Sequence, residues 1–389
     1  MRLHIIRRVL LPVALLTCSM TSGAQTPLGG VGILGDSSSD EFRADDNRGG
    51  AYAATTLNWA ELLVNHRSVD LGSWGVRSEP RRAGYAYNWA RSGATAAEVV
   101  SGGQAAGLAA QITAGNVSTV ILMVGANDFA SWNDTYTGVY DGSVSGASLT
   151  AKITGIVESV RLAVDTVQRA GAAKIFVATL IDRGTTPAFL AAYPDPLKRQ
   201  RVKDAIVAVN AELRQMATPN DIQVVDLFSY GTTLLPLIDA SGYLNIGGEK
   251  ISAVAPGDEP HHLVLGDNEH GGTVASGLIA NYFIGALAAA GITIAPFTDQ
   301  EILANAGIAP PRPDTAAPSI TLIAPSTTAI GPSSTAAGAG TVCSVSVGEA
   351  APSEPSNETK VVVQHAPVSR SRRMFIPITG VPSASCALT

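Results

Sequence analysis

Between Val31 and Gly291 the chain alternates short apolar runs with longer stretches in which apolar residues recur at helical spacing. Val31 to Leu34, Val117 to Val124, Lys174 to Leu180 and Ile222 to Leu227 are rich in Val and Ile and too short for typical helices, so they are expected to be strands. Thr55 to His66, Ser148 to Ala170 and Leu197 to Ala217 carry the helical period; Ile153, Ile156, Val157, Val160 and Val164, for example, fall on one face. A last helix is expected from Thr273 to Ala290. Asn281 interrupts its apolar content, and its periodic face suits packing on a sheet better than crossing a membrane. Strands alternating with helices predict an α/β fold, a three-layer α/β/α sandwich around a central, mostly parallel sheet.

The pattern stops at both ends. From Pro310, prolines 310, 311, 313 and 318 cluster with Ala, Ser and Thr, which is linker composition. Asp314 to Leu322 resembles the opening of bacterial surface immunoglobulin-like modules, but the rest of the chain is shorter than the roughly 100 residues such a sandwich needs. Residues 310–389 are therefore expected to be a flexible or partly folded tail. At the other end Arg2, Arg7 and Arg8 precede the apolar run Val9 to Leu16, and Ser22-Gly23-Ala24 offers small residues for cleavage. Residues 1–24 read as an export signal. The apolar run is too short to span a bilayer, and the mature protein is expected to be secreted, periplasmic or at the cell surface. Residues 25–309 form the main domain.

Composition narrows the partners. With 46% hydrophobic and 15% charged residues the chain can bury a sizeable core, and a net charge of −6 without a long basic run gives no footprint for nucleic acid. A small or neutral substrate fits better. Cys18 lies in the export segment, and Cys343 and Cys386 lie in the tail, where an oxidising compartment would allow them to pair. The main domain thus has no cysteine, which excludes thiolate catalysis and thiolate metal sites there.

Four short blocks carry candidate chemistry. Gly35-Asp36-Ser37-Ser38-Ser39-Asp40 follows the first strand, where open α/β folds bind ligands at the strand's carboxyl end. Asn88-Trp89-Ala90-Arg91-Ser92-Gly93-Ala94-Thr95 leads toward a helix, and glycine there lets a backbone N–H approach a ligand. Gly125-Ala126-Asn127-Asp128 follows the most apolar strand, so that an Asn amide can reach the same rim. Asp267-Asn268-Glu269-His270 precedes the last helix and offers a base with a carboxylate to orient it. Taken singly, each is also ordinary turn or cap chemistry.

Taken together and in this order, the blocks resemble those of the GDSL lipase/esterase family, the SGNH hydrolases, over roughly residues 30 to 290. The departures are Ser38 where leucine often follows the serine and Gly271 where proline often follows the histidine. The resemblance implies a flavodoxin-like α/β/α hydrolase domain without cofactor or metal. It also implies Ser37 as nucleophile, His270 as general base, Asp267 as its orienting acid, and an oxyanion hole made by Ser37, Gly93 and Asn127. Asp36 and Asp128 are expected to organise loops through hydrogen bonds to backbone donors, and Phe129 and Trp132 are left outside the site. His261 and His262 compete with His270, and with Asp258, Glu259 and Glu269 nearby they raise a metal reading that lacks a clear ligand set. Three functions are compatible with this set. The first is a secreted esterase or lipase acting on small-molecule esters through an acyl-enzyme. The second is an O-acetylesterase acting on an acylated polysaccharide, and the third is a surface binding protein that kept the fold and lost activity.

Overall fold

The computed structural model describes residues 28–44, 48–79, 81, 83–218 and 222–309. The export segment, the tail and the Cys343–Cys386 pairing lie outside them. Eight strands are described: β1 (Gly30–Gly35), β2 (Trp74–Val76), β3 (Ala83–Tyr85), β4 (Val117–Met123), β5 (Lys174–Ala178), β6 (Gln223–Val225), β7 (Tyr243–Ile246) and β8 (Glu249–Ser252). The central sheet has the order β1-β4-β5-β6 and every pair in it is parallel, with Ile33 beside Ile121 and Val120 beside Ile175. On the free side of β1 an irregular segment runs parallel to it. Ile33 N–H donates to the Tyr87 carbonyl, Trp89 N–H to that of Ile33, and Arg91 N–H to that of Gly35. β2 with β3 and β7 with β8 form separate antiparallel pairs.

Alternation of side chains along each strand divides the core into two layers. Ile33, Ile121, Met123, Phe176 and Ala178 face one layer; Leu34, Val120, Leu122, Ile175 and Val177 face the other. The first is covered by α1 (Trp59–Arg67), and across it the Trp59 and Phe283 rings stack 4.3 Å apart. The second is covered by α2 (Ala96–Ser101), α3 (Gln104–Thr113), α4 (Thr135–Asp141), α5 (Gly146–Ala170) and, beyond the short α6 (Pro187–Ala192), α7 (Pro196–Ala217). The five apolar residues chosen on α5 are all buried. After α8 (Leu227–Leu234) the chain reaches α9 (Thr273–Ala289), which carries Phe283, and α10 (Asp299–Asn305). The three-layer parallel α/β arrangement is thus the one the pattern predicts.

The differences are local and have causes. Helix α1 begins at Trp59 rather than near Thr55, because the Asn58 side chain accepts Glu61 N–H while the Glu61 carboxylate accepts Asn58 N–H, a capping box that sets the first turn. The expected strand Ile222 to Leu227 is cut to three residues, because Asp226 caps α8 by accepting Ser229 N–H at 3.2 Å.

Candidate active site

The loops after β1, the irregular segment and β4 meet at the carboxyl edge of the sheet. Asp36, buried at the end of β1, nucleates a tight turn: its carbonyl accepts Ser39 and Asp40 N–H, both at 3.0 Å, and its carboxylate accepts Ser38 N–H at 2.9 Å. This sets the half-buried Ser37 at the head of the turn. The Gln104 amide holds both backbone groups of Gly35 at 3.0 Å. The second block is tied on by Ser92 N–H donating to Asp40 at 2.8 Å and by Asn88 Nδ2 donating to the Ser39 carbonyl at 2.8 Å. The third is tied to the second. Asn127 Nδ2 donates one hydrogen to the Ala94 carbonyl at 3.0 Å, and Ala96 N–H donates to Asp128 at 2.9 Å.

Asp36 and Asp128 thus organise loops as their positions predict. Among the described residues, neither the Ser37 nor the Gly93 backbone N–H has an internal acceptor. Gly93 is exposed at φ +85°, a left-handed conformation that costs most other residues about 1 kcal/mol or more. With the second hydrogen of the Asn127 amide, three donors are available around this turn.

The fourth block is a loop closed by short-range hydrogen bonds. One Asp267 oxygen accepts Glu269 and His270 N–H at 2.9 and 3.0 Å, and the other meets His270 Nδ1 at 2.6 Å. Because an ionised carboxylate only accepts, Nδ1 carries the proton and Nε2 is left as the acceptor. Asn268 takes the left-handed φ of +63° that closes the loop. Burial opposes ionisation of Asp267, but hydrogen bonds from His270, its charge and that of Arg48 outweigh it and hold the carboxyl below its ordinary value.

Electrostatics join this loop to the nucleophile turn. Burial pushes the Asp36 carboxyl up, opposed by hydrogen bonds from Ser38 and then by the charges of Arg183 and His270. Burial, reinforced by Asp36, raises Asp128 to about 6 against its bond from Ala96.

Three residues around this site were not singled out in the sequence. Phe42 meets the His270 ring edge-on at 5.9 Å, Arg48 Nε lies 3.4 Å from Asp267, and Arg183 forms an ion pair with Glu269. Only Arg183 could have been found, since it follows β5 at the same rim as the other blocks. His261 and His262 are engaged elsewhere. His261 lies 3.6 Å from Glu249, while His262 meets the Ala255 carbonyl at 2.8 Å and Glu259 at 3.7 Å. No group of three potential metal ligands is present among the described residues.

Next to Asn127 in the chain, Gly125 and Ala126 help to line a mostly apolar recess of about 10 Å³, together with Phe129, Tyr136, Leu180, Ile206 and the charged Arg183. That is room for roughly one water molecule or methyl group. Gly125, at φ +115°, allows the turn to sit against Leu180, whose side chain a Cβ would meet at 2.9 Å. Phe129 is buried and belongs to the core, whereas Trp132 is 62% exposed.

A family model described as GDSL-like Lipase/Acylhydrolase matches residues 31–261, well over half of the chain; the match includes Ser37, Gly93 and Asn127 and ends before Asp267. Among curated proteins nothing matches. Three solved structures illustrate the similarities. An acetylxylan esterase from Geobacillus stearothermophilus is 15% identical, covering 67% of this chain and 94% of its own, with a TM-score of 0.37. Phospholipase A1 from Streptomyces albidoflavus is 16% identical, covering 54% and 83%, with a TM-score of 0.36. An extracellular lipase from Streptomyces rimosus is 17% identical over the same shares, with a TM-score of 0.34.

Proposed function

From the premise that this chain belongs to the GDSL-like lipase/acylhydrolase family, we propose that it cleaves carboxylic esters through an acyl-enzyme on Ser37. The observation that carries the reading is the 2.6 Å hydrogen bond from His270 Nδ1 to Asp267, which leaves Nε2 of the neutral imidazole to act as a base. Ser37 Oγ attacks the ester carbonyl as His270 takes its proton, and the imidazolium returns that proton to the departing alkoxide. Water then enters by the same base and releases the acid. Asp267 orients the ring and stabilises its charged form. The oxyanion is received by the N–H groups of Ser37 and Gly93 and the free hydrogen of the Asn127 amide, donors already in place before charge develops.

The recess lined by Gly125 and Ala126 fits the acyl side of a short ester, and its size favours acetyl. The exposed Trp132, five residues after Asn127, favours as a second reading an O-acetyl group carried by a sugar whose apolar face stacks on the indole. Residues 1–24 would export the enzyme, and N-terminal sequencing of secreted material should begin at Gln25. The activity is tested with p-nitrophenyl acetate, acetylated xylan and a fluorophosphonate probe. Hydrolysis and labelling should both vanish in Ser37→Ala; no turnover and no labelling of the parent would favour a binding protein instead.

A further inference from the structure

We infer that Arg48 is a positioning residue for the His270–Asp267 pair, fixing the direction of the Asp267 carboxylate and, through Phe42, the plane of the imidazole. The inference rests on the esterase reading above. Arg48 Nε lies 3.4 Å from the same Asp267 oxygen that meets His270 Nδ1, and the arginine side chain is only 11% exposed. Its guanidinium carbon lies 5.2 Å from the centre of the Phe42 ring, and Phe42 in turn meets the edge of the His270 ring at 5.9 Å. The Arg48 N–H donates to the Phe42 carbonyl at 3.2 Å, so the chain folds back and presents both side chains to one loop.

The physical consequence is orientation. A carboxylate oxygen held between the His270 Nδ1 donor and the Arg48 cation cannot rotate without weakening both contacts, and the other oxygen is fixed by the Glu269 and His270 N–H groups. The cation stacked on Phe42 presses that ring against the imidazole. Both Phe42 and Arg48 belong to the segment just after Ser37, so the base loop is tied to the nucleophile's own chain. Other charged groups also bear on Asp267. Arg183 acts on it from beyond β5, while Arg183's direct partner is Glu269, which leaves Arg48 as the arginine in contact with the acid itself.

The test is steady-state hydrolysis of p-nitrophenyl acetate by Arg48→Ala, Arg48→Met and Arg48→Lys, with thermal melts of each. In Arg48→Ala, kcat should fall about 10- to 100-fold, the cost of a misdirected catalytic group, while KM stays within about twofold. Millimolar guanidinium should restore kcat saturably and equal concentrations of urea should not. Arg48→Lys, which keeps the charge without the planar stack, should fall between the parent and Arg48→Met and stands in if the alanine variant does not fold. A parent-like kcat in Arg48→Ala, a loss that guanidinium leaves unchanged, or equal activity of the lysine and methionine variants would overturn the inference. Activity surviving in His270→Ala would defeat the esterase mechanism instead, whatever Arg48 does.

Discussion

The two halves of the site are built on opposite principles. On the nucleophile side, three loops are stitched together by hydrogen bonds between Gln104 and Gly35, Ser92 and Asp40, and Asn127 and Ala94, and burial pushes carboxyl groups there toward neutrality: Asp36 upward, Asp128 to about 6 and Glu41, which follows Asp40 and accepts Tyr85 N–H at 2.8 Å, to about 8. On the base side, Asp267 accepts the Glu269 and His270 N–H groups within the same four residues, and ion pairs with Arg48 and Arg183 tie the loop to its surroundings. Its carboxyl is held below the ordinary value by His270 and Arg48 despite burial. A network shared with the core can be altered only at a cost to the fold, whereas a loop held by short-range hydrogen bonds and partly exposed ion pairs can lose its chemistry and leave the fold intact. The contrast fixes what each substitution should do.

The largest effect separates the halves most sharply. His270→Ala should lower kcat for p-nitrophenyl acetate by about 10⁴-fold or more, with a melting temperature close to the parent's because the ring is bound only within its own loop and by Phe42. A large drop in melting temperature would show that the base loop is structural after all. Asn127→Ala comes next. It should cost about 10² to 10³ in kcat through the lost oxyanion donor and, unlike His270→Ala, about 1 to 3 kcal/mol of stability, because the buried Ala94 carbonyl loses its donor. Urea unfolding alongside kinetics checks both parts. An Asn127→Ala enzyme of parental activity would remove Asn127 from the oxyanion hole.

The pH dependence of stability should run in opposite directions in the two halves. Glu41 and Asp128 have folded values of about 8 and about 6, above their ordinary 4.5 and 3.8, so their contribution is complete below the ordinary values and is lost as pH rises through the folded ones. Relative to the parent, Glu41→Gln should therefore gain stability between pH 4.5 and 8. Asp267, held below 3.8, contributes above that value and loses its contribution as pH falls through the lower folded one. Asp267→Asn should accordingly be at a disadvantage at neutral pH that shrinks in acid. Urea midpoints from pH 8 down to below 3.8 measure both, and parallel trends for the two variants would contradict the contrast.

The smallest effect concerns the recess. Ile206→Val removes one methylene from its wall, which should raise the propionate-to-acetate ratio of kcat/KM by about 10-fold. An unchanged ratio would place the acyl group elsewhere.

The long-range plan of the molecule was legible because burial on both faces writes continuous apolar runs, as in Val120 to Val124, and burial on one face writes a period, as in Ile153 to Val164. The irregular segment beside β1 was not. Its pairing with Ile33 is made by backbone groups of Tyr87 and Trp89 in a stretch without alternation, and β2 and β3 are only three residues each. The candidate site was legible where residue type and a strand end coincide, at Ser37 and Asn127. Phe42 and Arg48 escaped because what marks them is a contact with a loop more than two hundred residues away, and no local pattern encodes that meeting.

The central claim is that the two halves converge on one reacting atom, and a crystal structure of the enzyme phosphonylated by a fluorophosphonate tests it most directly. The account predicts the adduct on Ser37 Oγ, the phosphonyl oxygen about 2.7 to 3.1 Å from the N–H groups of Ser37 and Gly93 and the Asn127 amide, and His270 Nε2 within hydrogen-bonding reach of the adduct. An adduct on another residue, or on Ser37 with its oxygen turned to solvent and the imidazole out of reach, would contradict it.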